Sequence, residues 1–177
     1  MLIQHTNIEA VGENACSSAL TLSGISDQVI SETLVLFSRL IQKNQARILK
    51  ANSEDIELAR QNNTSMASID RLTLNEDRIN YLKTVMFDVA QQKSPIDRIL
   101  ETVTRPNGLQ IKKVTTPIGV VGVIFESRPN VFCDAAALCL KSKNSSILKP
   151  GSDSLKTVKV LYDLLTLALA DKGMPDN

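Results

Sequence analysis

The chain has 177 residues, 43% hydrophobic and 22% charged, with a net charge of +1. Those proportions belong to a globular protein long enough for one domain with a proper core. They exclude a global field that would draw nucleic acid or acidic membranes, and 3% aromatics with no tryptophan exclude a base-stacking surface.

Residues up to about Gln92 read as helical. Ile30, Leu34, Phe37 and Ile41 recur at helical spacing, widened by Leu36 and Leu40, with Ser26 or Asp27 as the cap. A second helix is expected after Asn52 or Ser53, because Glu54 and Asp55 would then sit where a helix dipole favours anions. A third is expected from Thr73-Leu-Asn-Glu76, read as a capping box, with Ile79, Leu82, Val85, Met86 and Val89 facing inward.

Character changes near Ser94-Pro95. Ile99, Glu101 and Val103 suggest a strand, Arg105-Pro-Asn-Gly108 a turn, and the alternation from Leu109 to Val114 a half-buried strand. The run 120–125 is apolar on both faces, as a central parallel strand requires. An alanine-rich helix over 127–141, a strand over 146–148 and an amphipathic helix over 155–172 follow, the last closed by Gly173 and Pro175. No apolar run reaches membrane-spanning length, since Lys156, Lys159 and Asp163 interrupt the longest candidate.

The expected fold is therefore α/β. A helical N-terminal segment (1–93) is followed by a hairpin element (94–116) and by the start, β-α-β-α, of a dinucleotide-binding domain (117–177). A doubly wound sheet usually holds about six strands, so this one is expected to be incomplete. Oligomerisation, or a missing half of the protein on another chain, is the expected remedy for its uncovered edges.

Lys149 is the best cofactor candidate, because it ends a strand where ligands dock on open α/β sheets. Gly151, Ser152 and Asp153 follow it and could contact ribose or phosphate. At the earlier strand-to-helix turn, Ser127 could help hold an anion, Arg128 could engage a phosphate or carboxylate, and Asn130 could donate to an oxyanion. A capped turn with solvated side chains is the plainer reading of these residues. Gly119 and Gly122 form no G-x-G-x-x-G fingerprint and suggest close backbone approach instead. Glu126 reads as the end of its strand. His5 is given no catalytic role. Cys16, Cys133 and Cys139 have neither metal-ligand nor paired spacing, which points to a reducing compartment and no metal site. With no secretory signal at the N-terminus, the expected location is cytoplasmic.

The segment from Leu109-Gln-Ile-Lys-Lys-Val through Pro117-Ile-Gly-Val-Val-Gly-Val-Ile-Phe-Glu-Ser-Arg-Pro-Asn-Val131, with Asp134-Ala-Ala-Ala-Leu-Cys-Leu-Lys-Ser-Lys-Asn144, resembles the glutamate-5-semialdehyde dehydrogenase (γ-glutamyl phosphate reductase) family of the aldehyde dehydrogenase superfamily. Residues 52–60 and 70–79 resemble that family's helical segments. Glu126-Ser-Arg-Pro-Asn130 is the specific part, where general aldehyde dehydrogenases carry a Pro-Trp-Asn type of segment. Pro150 departs from the reductases' Gly-Gly-Ser and matches the general enzymes.

The resemblance implies NADPH-dependent reduction of γ-glutamyl phosphate to glutamate 5-semialdehyde in proline biosynthesis. A cysteine thiolate would displace phosphate, and hydride would reduce the resulting thioester. It implies that Lys149 contacts the adenosine ribose or its 2′-phosphate, that Arg128 or Asn130 meets the substrate, and that the hairpin belongs to an oligomerising element. It also implies that the catalytic cysteine lies beyond the matched region, so the chain by itself is expected to be inactive. Alternatives are a non-catalytic remnant acting as a nucleotide-binding or self-association module, and a fragment of a general aldehyde dehydrogenase.

Overall fold

The computed structural model describes residues 7–175; His5 lies outside them. Five helices come first: α1 (Ile8–Ser23), α2 (Asp27–Lys43), α3 (Gln45–Gln61), α4 (Met66–Leu72) and α5 (Glu76–Gln91). A hairpin of β1 (Ile99–Thr104) and β2 (Gln110–Val114) follows, then β3 (Val120–Ile124), α6 (Pro129–Lys141), β4 (Ser145–Lys149) and α7 (Leu155–Asp171). A single 3-10 turn, Ser152–Ser154, joins β4 to α7.

The helical stripe of α2 behaves as its spacing predicts. Ile30, Leu34, Phe37 and Ile41 are fully buried, and Ser26 is the cap, its hydroxyl accepting from the Val29 N–H at 3.3 Å. This face packs against α5, where Ile79, Leu82, Met86 and Val89 are buried. The same apolar core continues without a break into Phe132, Cys133 and Ala137 of α6 and Leu161 and Leu164 of α7. The alanines of α6 let it sit close to its neighbours. Burying side chains of this kind contributes roughly 1.5–3 kcal/mol each for Leu, Ile, Phe or Met.

Two helix starts differ from expectation. α3 begins at Gln45, not after Asn52, so Asn52 and Asp55 lie inside the helix and are buried. Their side chains reach across to other elements instead of capping their own. The start of α5 is capped by Asn75, whose side-chain oxygen accepts from the Arg78 N–H at 2.8 Å. Thr73 instead ends α4, its hydroxyl donating to the Ile69 carbonyl at 2.7 Å. The short helix α4 was not distinguished by sequence.

The hairpin forms with Val103 opposite Ile111 and Thr104 opposite Gln110. Its β2 strand is exposed throughout rather than half-buried. The alternation is real, but among the described residues no helix packs extensively on either face.

β3 and β4 pair in parallel, Val120 beside Ser145 and Ile124 beside Lys149. Asn144 sets the register at the start of the pair, its side-chain oxygen accepting from the Gly119 N–H at 2.8 Å. Gly119 adopts φ +115°, which only glycine takes readily. An added Cβ there or at Gly122 would meet nothing within 4 Å, so the expected close approach at these glycines is absent. The close approach is at Gly151 instead.

Candidate functional site at the strand ends

The C-terminal ends of β3 and β4 lie side by side, and the Phe125 N–H donates to the Lys149 carbonyl at 3.1 Å. Two loops leave this edge together. One carries Glu126, Ser127 and Arg128 into α6; the other carries Pro150, Gly151, Ser152 and Asp153 into α7.

These loops touch. A Cβ on Gly151 would come within 3.4 Å of the Glu126 Cα and 2.7 Å of an Asp153 carboxylate oxygen. The Ser127 hydroxyl donates to the other Asp153 oxygen. Ser127 takes φ +49°, an uncommon conformation for a residue with a side chain. Lys149 is exposed at this edge, and its ammonium group has no partner among the described residues. The structure thus brings Lys149, Gly151, Ser152, Asp153 and Ser127 to one place, with an exposed unpartnered cation beside two loops that close on each other at Gly151.

The loop edge is held from behind. Asp55 on α3, buried, accepts from the Lys156 N–H at 3.2 Å and from the Thr157 N–H and hydroxyl at 2.8 and 2.7 Å. It therefore caps α7 in trans, where no side chain of α7's own N-cap residue does so. Asn52, one helical turn before it, donates to the Leu72 carbonyl at 2.9 Å and accepts from the Leu74 N–H at 2.7 Å. Sequence reading placed Asp55 in a first turn of its own helix and so missed this tie.

Arg128 and Asn130 belong to a separate cleft, whose lining does not include Lys149. They line a cleft of about 230 Å³ with Arg71 and Thr73 at the end of α4, and with Arg78 and Tyr81 of α5. Asn130 donates to Asp134 at 3.3 Å. Burial pushes the Asp134 carboxyl above its usual range, only partly offset by that hydrogen bond. Arg71, Arg78 and Tyr81 were not singled out by sequence; they come from elements far from Arg128 along the chain.

Among the described residues, no group of His, Cys, Asp or Glu could hold a metal. Cys133 is fully buried and burial pushes its thiol far up, so it is not a thiolate nucleophile. Burial also raises the Cys139 thiol. Cys16 is exposed on α1.

The paired strands, the touching loops and the helices packed behind them are the architecture of the aldehyde dehydrogenases. A protein of Listeria monocytogenes described as a probable aldehyde dehydrogenase superposes with a TM-score of 0.67 at 16% identity, over 95% of this chain and 34% of that one. The γ-glutamyl phosphate reductase of Thermotoga maritima fits more closely, with a TM-score of 0.93 at 29% identity over 97% of this chain and 41% of that one. In sequence, the γ-glutamyl phosphate reductase of Allorhizobium ampelinum is 40% identical over 167 residues, 94% of this chain and 39% of the relative. No protein-family model matches. The chain is a homologue of the γ-glutamyl phosphate reductases along nearly its whole length, and it spans about two fifths of theirs.

Proposed function

We propose that this chain is the part of a γ-glutamyl phosphate reductase that binds the adenosine end of NADPH and one end of the substrate. The reaction would convert γ-glutamyl phosphate and NADPH to glutamate 5-semialdehyde, phosphate and NADP, in proline biosynthesis in the cytoplasm. Residues 1–93 would form the supporting helices, 94–116 the contact between copies, and 117–177 the cofactor portion.

The observation that carries this is the unpartnered ammonium of Lys149 at the sheet edge, beside the loop contact at Gly151. Lys149 would bind the 2′-phosphate by charge, favouring NADPH over NADH. Gly151 lets the two loops close on each other, since a side chain there would strike Asp153 and Glu126, and Ser127 holds Asp153 back from the phosphate. The cofactor supplies hydride when bound. Arg128 and Asn130 would orient the substrate. None of the three cysteines is placed to attack it, so the chain by itself is expected to bind but not to turn over.

Titration of the purified chain with NADPH and NADH, read by nicotinamide fluorescence, tests the reading. Lys149→Ala should weaken NADPH binding about tenfold, the loss of one charge-assisted contact of about 1.5 kcal/mol. Gly151→Ala should weaken both cofactors. NADPH binding indifferent to both substitutions, or cysteine-dependent turnover by the chain alone, would refute the proposal.

A further inference from the structure

The cleft between α4, α5 and the start of α6 has a distribution of charge that the cofactor edge does not explain. Its lining includes three guanidinium groups, Arg71, Arg78 and Arg128, and one carboxylate, Asp70. Arg78 is already committed. It donates to the Thr73 carbonyl at 2.6 Å and to the Asp70 carbonyl, and pairs with the Asp70 carboxylate at 3.0 Å. Arg71 and Arg128 have no side-chain partner among the described residues. The Asn130 amide, steadied by Asp134, faces the same cleft, as does Tyr81.

Two free planar guanidinium forks with an amide donor match a carboxylate or a phosphate equally well in shape. The carboxylate on the rim separates the two. Asp70 pairs with Arg78 through one oxygen and leaves the other without a partner among the described residues, an acceptor that a bare phosphate would not use. A carboxylate carrying an adjacent ammonium would meet the arginines with one group and Asp70 with the other. The volume of about 230 Å³ is below that of pockets for drug-sized ligands, about 300–1,000 Å³, and suits the head of one amino acid.

The geometry points to this cleft as the subsite for the α-amino-acid head of the substrate, with Arg71 and Arg128 holding its α-carboxylate, Asn130 assisting and Asp70 facing its ammonium. The inference rests on the proposed function for the identity of that substrate, and it assigns which end of the molecule lies here. Arg78 is a positioning residue, fixing Asp70 and the end of α4 as one wall. The acyl phosphate end then points out of the cleft.

The test uses the 177-residue chain and amide NMR, which reads the Asn130 side chain and the Arg71, Tyr81 and Arg128 backbone directly. Glutamate γ-methyl ester keeps the α-amino-acid head and hides the other carboxylate; 4-aminobutyrate lacks the α-carboxylate; inorganic phosphate mimics the other end. The ester should shift these resonances saturably, and the other two probes should not. The Arg71→Gln, Arg128→Gln double variant should bind the ester at least tenfold more weakly, with its remaining spectrum unchanged. Absence of a saturable shift with the ester, a response to phosphate instead, or equal affinity in the double variant would overturn the assignment. NADPH titration of the same samples separates the two readings. Ester binding that depends on the arginines sustains this subsite even where NADPH fails to bind, and NADPH binding through Lys149 with no ester response removes the subsite alone.

Discussion

Replacing Asp55 by alanine tests whether the edge at the ends of β3 and β4 is held from α3. The substitution leaves the Lys156 and Thr157 N–H groups at the start of α7 without their acceptor, and the Thr157 hydroxyl without one of its partners. Loss of a helix cap alone costs about 0.5–2 kcal/mol. Hydrogen bonds to a charged group contribute about 1.5–3 kcal/mol each, and they do not add when they share one acceptor. The site is buried, so water cannot replace the carboxylate. A loss of about 3 kcal/mol follows, a large share of the roughly 5–15 kcal/mol by which folded proteins are stable. At about 2–4 °C per kcal/mol for a chain of this size, the melting midpoint falls by about 6–12 °C. Asp55→Asn keeps one acceptor oxygen and should lose about half as much. Circular dichroism during heating and during urea titration reads both variants. A change in Asp55→Ala below about 0.5 kcal/mol, or an Asp55→Asn as damaging as Asp55→Ala, would refute the reasoning.

Two further predictions concern α6. Lys141 is almost wholly buried, pairs with Asp27 at 2.9 Å and donates to Ser31 and to the Ala90 carbonyl at 2.8 and 3.2 Å. Breaking a fully buried pair costs about 3–5 kcal/mol; because Asp27 keeps contact with water, Lys141→Ala should cost about 2 kcal/mol by urea denaturation, and a neutral result would show that this junction carries no load. At Asp134, burial raises the folded-state pKa above the unfolded value of about 3.9. The fold therefore disfavours the ionised form: the penalty is complete above the folded-state pKa and is relieved as pH falls through it. Asp134→Asn should melt higher than the unsubstituted chain at neutral pH, with the gap closing on acidification; a gap that does not change with pH would refute this.

What could be read from sequence was what local physics decides. The buried stripes of α2 and α5, the Asn-Gly hairpin turn, and the order β3-α6-β4-α7 all follow from periodicity and turn chemistry. The position of Lys149 at a strand end follows from the same pattern. The misreadings share one cause. Asn52, Glu54 and Asp55 look like a helix start because acids favour helix N-termini, yet Asp55 serves the N-terminus of a different helix. Thr73 and Glu76 match a capping box, yet Asn75 between them has the better geometry. The hairpin's alternation predicts a buried face, but burial depends on what else is near. Arg71 and Tyr81 carry no local signal, because their relation to Arg128 exists only after α4 and α5 pack beside α6.

The tie between Asp55 and Thr157 joins residues 102 positions apart. Closing so large a loop is entropically unfavourable before its contacts form, and contacts of long sequence separation slow folding. The start of α7 cannot be secured until α3 is in place. During synthesis the early helices emerge first, with their shared apolar faces still waiting for α6 and α7. The edge at the ends of β3 and β4 is accordingly built on a contact that only the folded arrangement of α3 and α7 supplies.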